Sequence, residues 1–305
     1  MPRVLYVGSW GRSGSTLLDL VLGQIPDLVS VGELRYIWER GLAERQLCGC
    51  GYTVPECPFW GAVLEEAFGG AGQVDVREVL SLWRRVDRLT LVPALLTPWH
   101  YPALAADLRV FQEVLARLYR AVATVSGAAT VVDSSKYAAY GLVLAGVPQL
   151  ELVLLHLIRD SRAVAYSWQS RKLMPEVTTE TRYMPVKRPW RSAVFWGLEN
   201  LALEMLRQIS QRSVRLRFDD LTSDPRGSLG AALAALGINA DLDFLGRRVL
   251  DLGPNHTVAG NPIRFRRGNV AIEADLAWRS HLQAGSRRVV TALTWPLLVR
   301  YGFPL

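Results

Sequence analysis

The chain has 305 residues, 50% of them apolar and 21% charged, which is ordinary for a globular protein and enough for one large α/β domain with a buried sheet. Its net charge of +7 and isoelectric point near 9.6 suit an anionic ligand. The excess is arginine scattered through the chain, not a lysine-rich tail, which leaves nucleic acid without support as a partner. No run of eighteen apolar residues predicts a membrane span, and a core strand starting at Val4 leaves no room for a leader, so a cytoplasmic location is expected.

Val4-Leu-Tyr-Val7 reads as a strand and Leu17 to Leu22 as a helix, with Gly8-Ser-Trp-Gly-Arg12-Ser13-Gly14-Ser15-Thr16 between them. Such a turn aims backbone N–H groups and the positive end of a helix dipole at an anion. A nucleotide kinase would end this loop in Gly-Lys-Ser/Thr, the lysine reaching the terminal phosphates and the hydroxyl holding Mg²⁺. The lysine is missing here and the cation has moved to Arg12. That pattern predicts a ligand with a 5′-phosphate and one further anionic group, needing no metal bridge. Glu33, in Val31-Gly32-Glu33-Leu34-Arg35, offers a carboxylate near this loop, or else caps a helix or pairs with Arg35.

Cys48, Cys50 and Cys57 crowd into a Gly/Pro-rich stretch ending at Trp60. It reads as a compact loop with small buried thiols or one disulfide. Three thiolates could also hold zinc, but no neighbouring histidine supplies a fourth ligand, so no residue is assigned to a metal. From Val74 to Val125 the apolar spacing predicts two or three helices, broken around Thr97-Pro98 and Pro102. They form a helical insertion, about residues 61–128, part of which faces an acceptor.

Val131 to Lys136 reads as a strand ending in a polar turn, and Leu150 to Ile158 as a second strand ending at Arg159. Helical character follows from Ser161 to Trp168, placing Ser167 on the helix. His156, inside the apolar strand, is expected in the core. Residues 169–191 are polar, basic and interrupted by Pro175, Pro185 and Pro189, and are expected to form a lid whose charge favours an anionic acceptor. Val214 to Phe218 forms another strand, followed by an Asp219-Asp220-Leu221 turn and a helix after Asp224-Pro225. His256 sits in a Gly/Pro-rich loop that could close over a ligand, ahead of Phe265-Arg266-Arg267-Gly268.

The pair Gly11-Arg12-Ser-Gly-Ser-Thr-Leu17 and Leu157-Ile-Arg159-Asp-x-Arg-x-x-x-Tyr-Ser167 resembles the 5′-phosphosulfate and 3′-phosphate motifs of sulfotransferases that use 3′-phosphoadenylyl sulfate (PAPS). The resemblance implies a P-loop-like, doubly wound parallel α/β sheet flanked by helices, one unit over 1–305, in a bacterial member close to the tyrosylprotein and carbohydrate branch. It implies that Arg12, Ser13, Gly14, Ser15, Thr16, Arg159 and Ser167 hold PAPS, or the product PAP, without a metal. Phe218 stands where the family has an adenine-side tyrosine, and Arg266, Arg267 and Gly268 resemble a late element contacting the 3′-phosphate. Where the cytosolic branch has a histidine base this chain has Tyr137; Glu33 resembles the glutamate base of the other branch, with Arg12 and Lys136 as cations around the transferring group. The acceptor is then a hydroxyl of a small molecule, a carbohydrate, lipid or secondary metabolite. The rival readings are a P-loop kinase or phosphotransferase, against which the missing lysine counts, and a non-catalytic PAP- or nucleotide-binding module.

Overall fold

The computed structural model describes residues 1–305. Its centre is a parallel sheet of β1 (Arg3–Gly8), β2 (Leu28–Gly32), β3 (Thr130–Lys136), β4 (Glu151–Ile158) and β5 (Arg212–Arg217), in the order β2-β3-β1-β4-β5. Every neighbouring pair is parallel. Strands with helices on both faces must be apolar throughout, which is why β1 and β4 read as continuous hydrophobic runs. Along β1 the pleat sends Val4 and Tyr6 into one apolar layer and Leu5 and Val7 into the other.

Helix α1 (Ser15–Leu22) follows β1 and is buried along its whole length. Between β2 and β3 run α2 (Pro58–Phe68), α3 (Val76–Val86), α4 (Val92–Leu96) and α5 (Pro102–Ser126). Pro58, Pro93 and Pro102 each occupy a first-turn position, where their missing N–H costs nothing. Asp75 starts α3 by accepting the Glu78 N–H at 3.0 Å. Leu108, Phe111, Leu115, Leu118 and Val122 form the buried stripe of α5. Breaks fall at Thr97-Pro98 and Pro102, as expected, and a further one at 87–91, between α3 and α4, was not foreseen.

Helix α6 (Ala138–Ala145) crosses from β3 to β4, and α7 (Ser161–Ser167) leaves β4 with Asp160 as its cap, accepting the Arg162 N–H at 2.8 Å. After residues 168–188 come α8 (Pro189–Ile209), β5, α9 (Phe218–Ser223) and α10 (Pro225–Ala235). The expected Asp219-Asp220 turn is therefore helical: two acids in the first turn of α9 favour the helix through its dipole. A separate antiparallel pair, β6 (Val249–Leu252) and β7 (Gly268–Ala271), precedes α11 (Trp278–His281) and α12 (Ala284–Arg300). No helix is long and apolar enough to cross a membrane.

The register sets Gly8 of β1 level with Lys136 of β3 and His156 of β4. The loops leaving these carboxyl ends therefore open at one rim of the sheet, the place where open α/β sheets bind ligands.

Candidate active site

The loop after β1 contains two residues in left-handed backbone, Arg12 (φ 71°) and Gly14 (φ 92°). Gly14 is required twice over, since a Cβ there would also lie 2.2 Å from the Phe218 ring. Trp168, just after α7, closes the other side: its indole N–H donates to Gly11 O at 3.0 Å, and a Cβ on Gly11 would meet the ring at 2.7 Å. The N–H groups of Gly14, Ser15 and Thr16 have no acceptor in the protein and sit at the N-terminus of α1.

Arg12 is half-buried as a residue, but its three guanidinium nitrogens are buried and unpartnered, with the cation 5.2 Å over the Trp168 ring. Burial pushes its pKa down, only partly opposed by Glu33. Arg159, 147 residues away in sequence, donates from Nη1 to the Arg12 carbonyl at 3.2 Å and from Nη2 to Asp275 O at 3.3 Å. It lies 4.9 Å over the Phe218 ring, and burial lowers its pKa as well. Lys172 is half-buried nearby; desolvation lowers its pKa first, then the repulsion of Arg12 and Arg159. Three partly desolvated cations gathered at one corner, one of them held down by the other two, make a setting that favours an anion.

Opposite these, Glu33 follows β2 and Lys136 ends β3 with φ 78°. Both are buried and form an ion pair through Glu33 Oε1 and Lys136 Nζ. Neither weighed alternative for Glu33 holds. Its side chain makes no cap bond, and Arg35 instead pairs with Asp87. The loop at 257–261 packs on this corner: Glu33 N–H donates to Val258 O at 2.7 Å and Asn261 N–H to Thr16 Oγ1 at 3.2 Å. Gly260, at φ 105°, passes so close that a Cβ would lie 3.2 Å from Glu33 Oε1.

These groups surround one cavity of about 370 Å³. Arg12, Gly14, Ser15, Thr16, Glu33 and Lys136 line it, and so do Arg159, Ser167 and Phe218. Ser13 is buried behind the loop instead. Arg266 is exposed, although near enough to hold down the Lys172 pKa, and Arg267 donates to Arg264 O at 3.1 Å. Gly268 opens β7, so neither it nor Arg267 lines the cavity. His156 lies in the core as expected, its Nε2 2.8 Å from Asn200 Oδ1.

The stretch 169–191 carries a short antiparallel excursion, with Met174 N–H on Arg182 O and Met184 N–H on Lys172 O, both 2.8 Å. It brings Lys172, Met184, Pro185 and Lys187 to the cavity. Residues absent from the sequence reading also line it: Trp10, Tyr36 and Arg40. Trp10 stood inside the quoted loop and could have been found there; Tyr36 and Arg40 carry no pattern. His256 does not close over the cavity. It lies instead on the cysteine loop, with Nδ1 3.2 Å from Cys57 Sγ, which corrects the expectation that no histidine reaches those thiols. The correction needs tertiary structure, because 199 residues separate the two.

Compared with solved structures, the chain is similar over 100% of its length to the sulfotransferase domain from the Synechococcus PCC 7002 olefin synthase, with 96% of that chain covered, TM-score 0.52 and 17% identity. It is similar to the sulfotransferase domain from the curacin biosynthetic pathway over 100% of its length and 99% of that chain, with TM-score 0.51 and 15% identity. No protein-family model and no curated protein matches it. The fold is that of these sulfotransferase domains.

Proposed function

We propose that this protein is a sulfotransferase that moves a sulfuryl group from PAPS to a hydroxyl of a small-molecule acceptor by in-line displacement. The observation that carries the reading is the meeting, at one cavity, of a lysine-free phosphate loop bearing the unpartnered Arg12 with Arg159 and Ser167. A Mg-nucleotide loop has no use for that second set. The orphan N–H groups of Gly14, Ser15 and Thr16 would take the 5′-phosphate, and Arg159 with Ser167 the 3′-phosphate that distinguishes PAPS from ATP.

In the transfer step the acceptor oxygen forms a bond to sulfur while the bond from sulfur to the bridging phosphate oxygen breaks, leaving PAP. The acceptor proton passes to Glu33, and Arg12 and Lys136 neutralise the charge that grows on the leaving oxygen. Arg12 cannot give up its proton and acts by charge alone. Lys136 shares the Glu33 carboxylate in the free protein. An incoming phosphosulfate offers the ammonium a second anion and leaves a carboxylate oxygen free for the acceptor. The basic 169–191 segment over the cavity favours an acceptor that carries negative charge of its own.

Calorimetric titration with PAP, and separately with ADP and with ATP plus Mg²⁺, tests the donor. PAP should bind tighter than ADP, and Arg159→Ala should remove roughly tenfold to a hundredfold of that affinity, as expected for a charge-assisted phosphate contact. A preference for Mg-ATP would overturn the reading in favour of a kinase.

A further inference from the structure

The strongest feature outside the cavity is the cluster of three thiols and one imidazole. Cys48, Cys50 and Cys57 are all free. His256 Nδ1 lies 3.2 Å from Cys57 Sγ and 4.0 Å from Cys48 Sγ, and Cys50 Sγ lies 3.5 Å from Cys57 Sγ. The four ligand atoms all fall within 4.8 Å of one another. A tetrahedral zinc with bonds of about 2.3 Å to sulfur and about 2.0–2.1 Å to nitrogen requires ligand edges of about 3.5–3.8 Å, so small side-chain movements complete the site. A disulfide explains the cluster poorly: the nearest sulfurs stand well beyond bonding distance, and pairing two of them leaves a thiol and an imidazole crowded together with no task.

The surroundings are built for such a group. The Trp60 indole N–H donates to the His256 carbonyl at 2.8 Å, and Phe59 stacks on the His256 ring at 5.0 Å, so the start of α2 holds the imidazole in place. Gly49 must be glycine, since a Cβ would lie 2.0 Å from Asn255 Oδ1, and its N–H donates to Thr257 O at 3.0 Å. Two chain segments about two hundred residues apart in sequence thus close on each other around four soft or borderline donors.

We propose that Cys48, Cys50, Cys57 and His256 bind one structural zinc ion. Four protein ligands leave no open position, so the ion is a clamp and takes no part in group transfer. A mixed thiolate and imidazole set favours zinc over the hard, oxygen-seeking cations. The thiols release their protons to solvent as the ion binds. What it fastens is the loop that begins at His256: Val258 N–H donates to Val31 O at 2.9 Å and Val258 O accepts the Glu33 N–H, so the clamp ends directly behind the cavity's carboxylate.

Metal analysis of the full chain, purified without chelators, should find about one zinc per chain, and cobalt substitution should give the intense visible bands of a tetrahedral thiolate site. Cys50→Ser and His256→Ala should each weaken zinc roughly tenfold or more against a chromophoric chelator. Should these variants fail to fold, blocking the thiols of the native chain with a mercurial should release the same equivalent of zinc. Protein that holds under about a tenth of an equivalent even after zinc is supplied, or an octahedral cobalt spectrum, would overturn the proposal. So would a disulfide between any two of the three cysteines in freshly isolated protein. None of these readings depends on turnover, so they stand or fall apart from the sulfotransferase reading.

Discussion

Arg12 and Arg264 both hold guanidinium groups away from solvent, one in the phosphate loop and one between the cysteine loop and the loop at 257–261. Arg264 gives Nη1 to Thr257 O at 2.7 Å and Nη2 to Leu47 O at 2.8 Å, so two carbonyls from different segments are closed by one side chain. Arg12 gives its nitrogens to nothing in the protein. Burial lowers the pKa of both, with nearby anions opposing the shift in each case. Two arginines, one wholly buried and one half-buried with its guanidinium nitrogens shielded from solvent, thus do opposite work. A buried cation bonded to two carbonyls holds loops together, whereas one with no partner at any nitrogen lowers stability in the free protein, as the anion-binding role proposed for Arg12 requires.

The sharpest way to break this contrast is at the carboxylate facing Arg12. Glu33→Gln should lower kcat about 10²- to 10⁴-fold, with PAP affinity kept or improved because Lys136 loses its competing anion; unchanged turnover would remove Glu33 from the proton transfer. Arg12→Met should lower kcat about 10²- to 10³-fold while leaving the melting temperature unchanged or higher, since no hydrogen bond is lost. Arg264→Met should do the reverse. Leu47 O left without a donor, and Thr257 O left with the Gly49 N–H alone, cost ~1–3 kcal/mol, visible in denaturant titration, and a variant as stable as the parent would refute the assignment.

The smallest expected effect concerns a buried acid rather than a buried base. Burial raises the Asp19 carboxyl from 3.8 to about 7, opposed by hydrogen bonds from Ser30 and Ser134. Asp133, raised to about 6, and Glu199, raised to about 7, behave alike. The folded chain then holds more protons than the unfolded one from about pH 4 to pH 7, so this stability is present in acid and is lost as pH rises through that window. His156 acts in the other sense: burial lowers its pKa, so the unfolded chain takes the proton first as pH falls below about 6.5. Asp19→Asn should flatten the dependence of stability on pH and add ~1–2 kcal/mol at pH 8. A slope equal to the parent's would show that Asp19 stays ionised in the fold.

The strand, loop and helix from Val4 to Leu22 were legible because an apolar run, paired glycines and a second apolar run each have a short physical cause. The places of Arg159 and Ser167, at the end of β4 and on α7, were legible in the same way, whereas their part in the site was implied only by the resemblance of the paired motifs. Strand β2 was not foreseen. It is five residues at the sheet edge with Ser30 and Gly32 in it, and its partners are set by β3 rather than by its own pattern. Arg267 looked equivalent to Arg266 in sequence, yet it turns to the Arg264 carbonyl. The gathering of His256 with the cysteines has no local signal, because nothing in a Pro-Asn-His-Thr loop says which distant segment it will meet.

Lys136 shares with Arg12 a left-handed backbone that side chains other than glycine seldom adopt, at φ 78° and 71°. Each costs on the order of 1–3 kcal/mol, a strain held by the folded sheet whether or not a ligand is present. The two cations are therefore preset before any donor arrives, and little loop ordering is left for binding to drive. Association should then respond to ionic strength and ligand charge, with only a small heat-capacity change. Glycine at either position would relax the backbone and leave an anchor that has to be assembled afresh at each encounter.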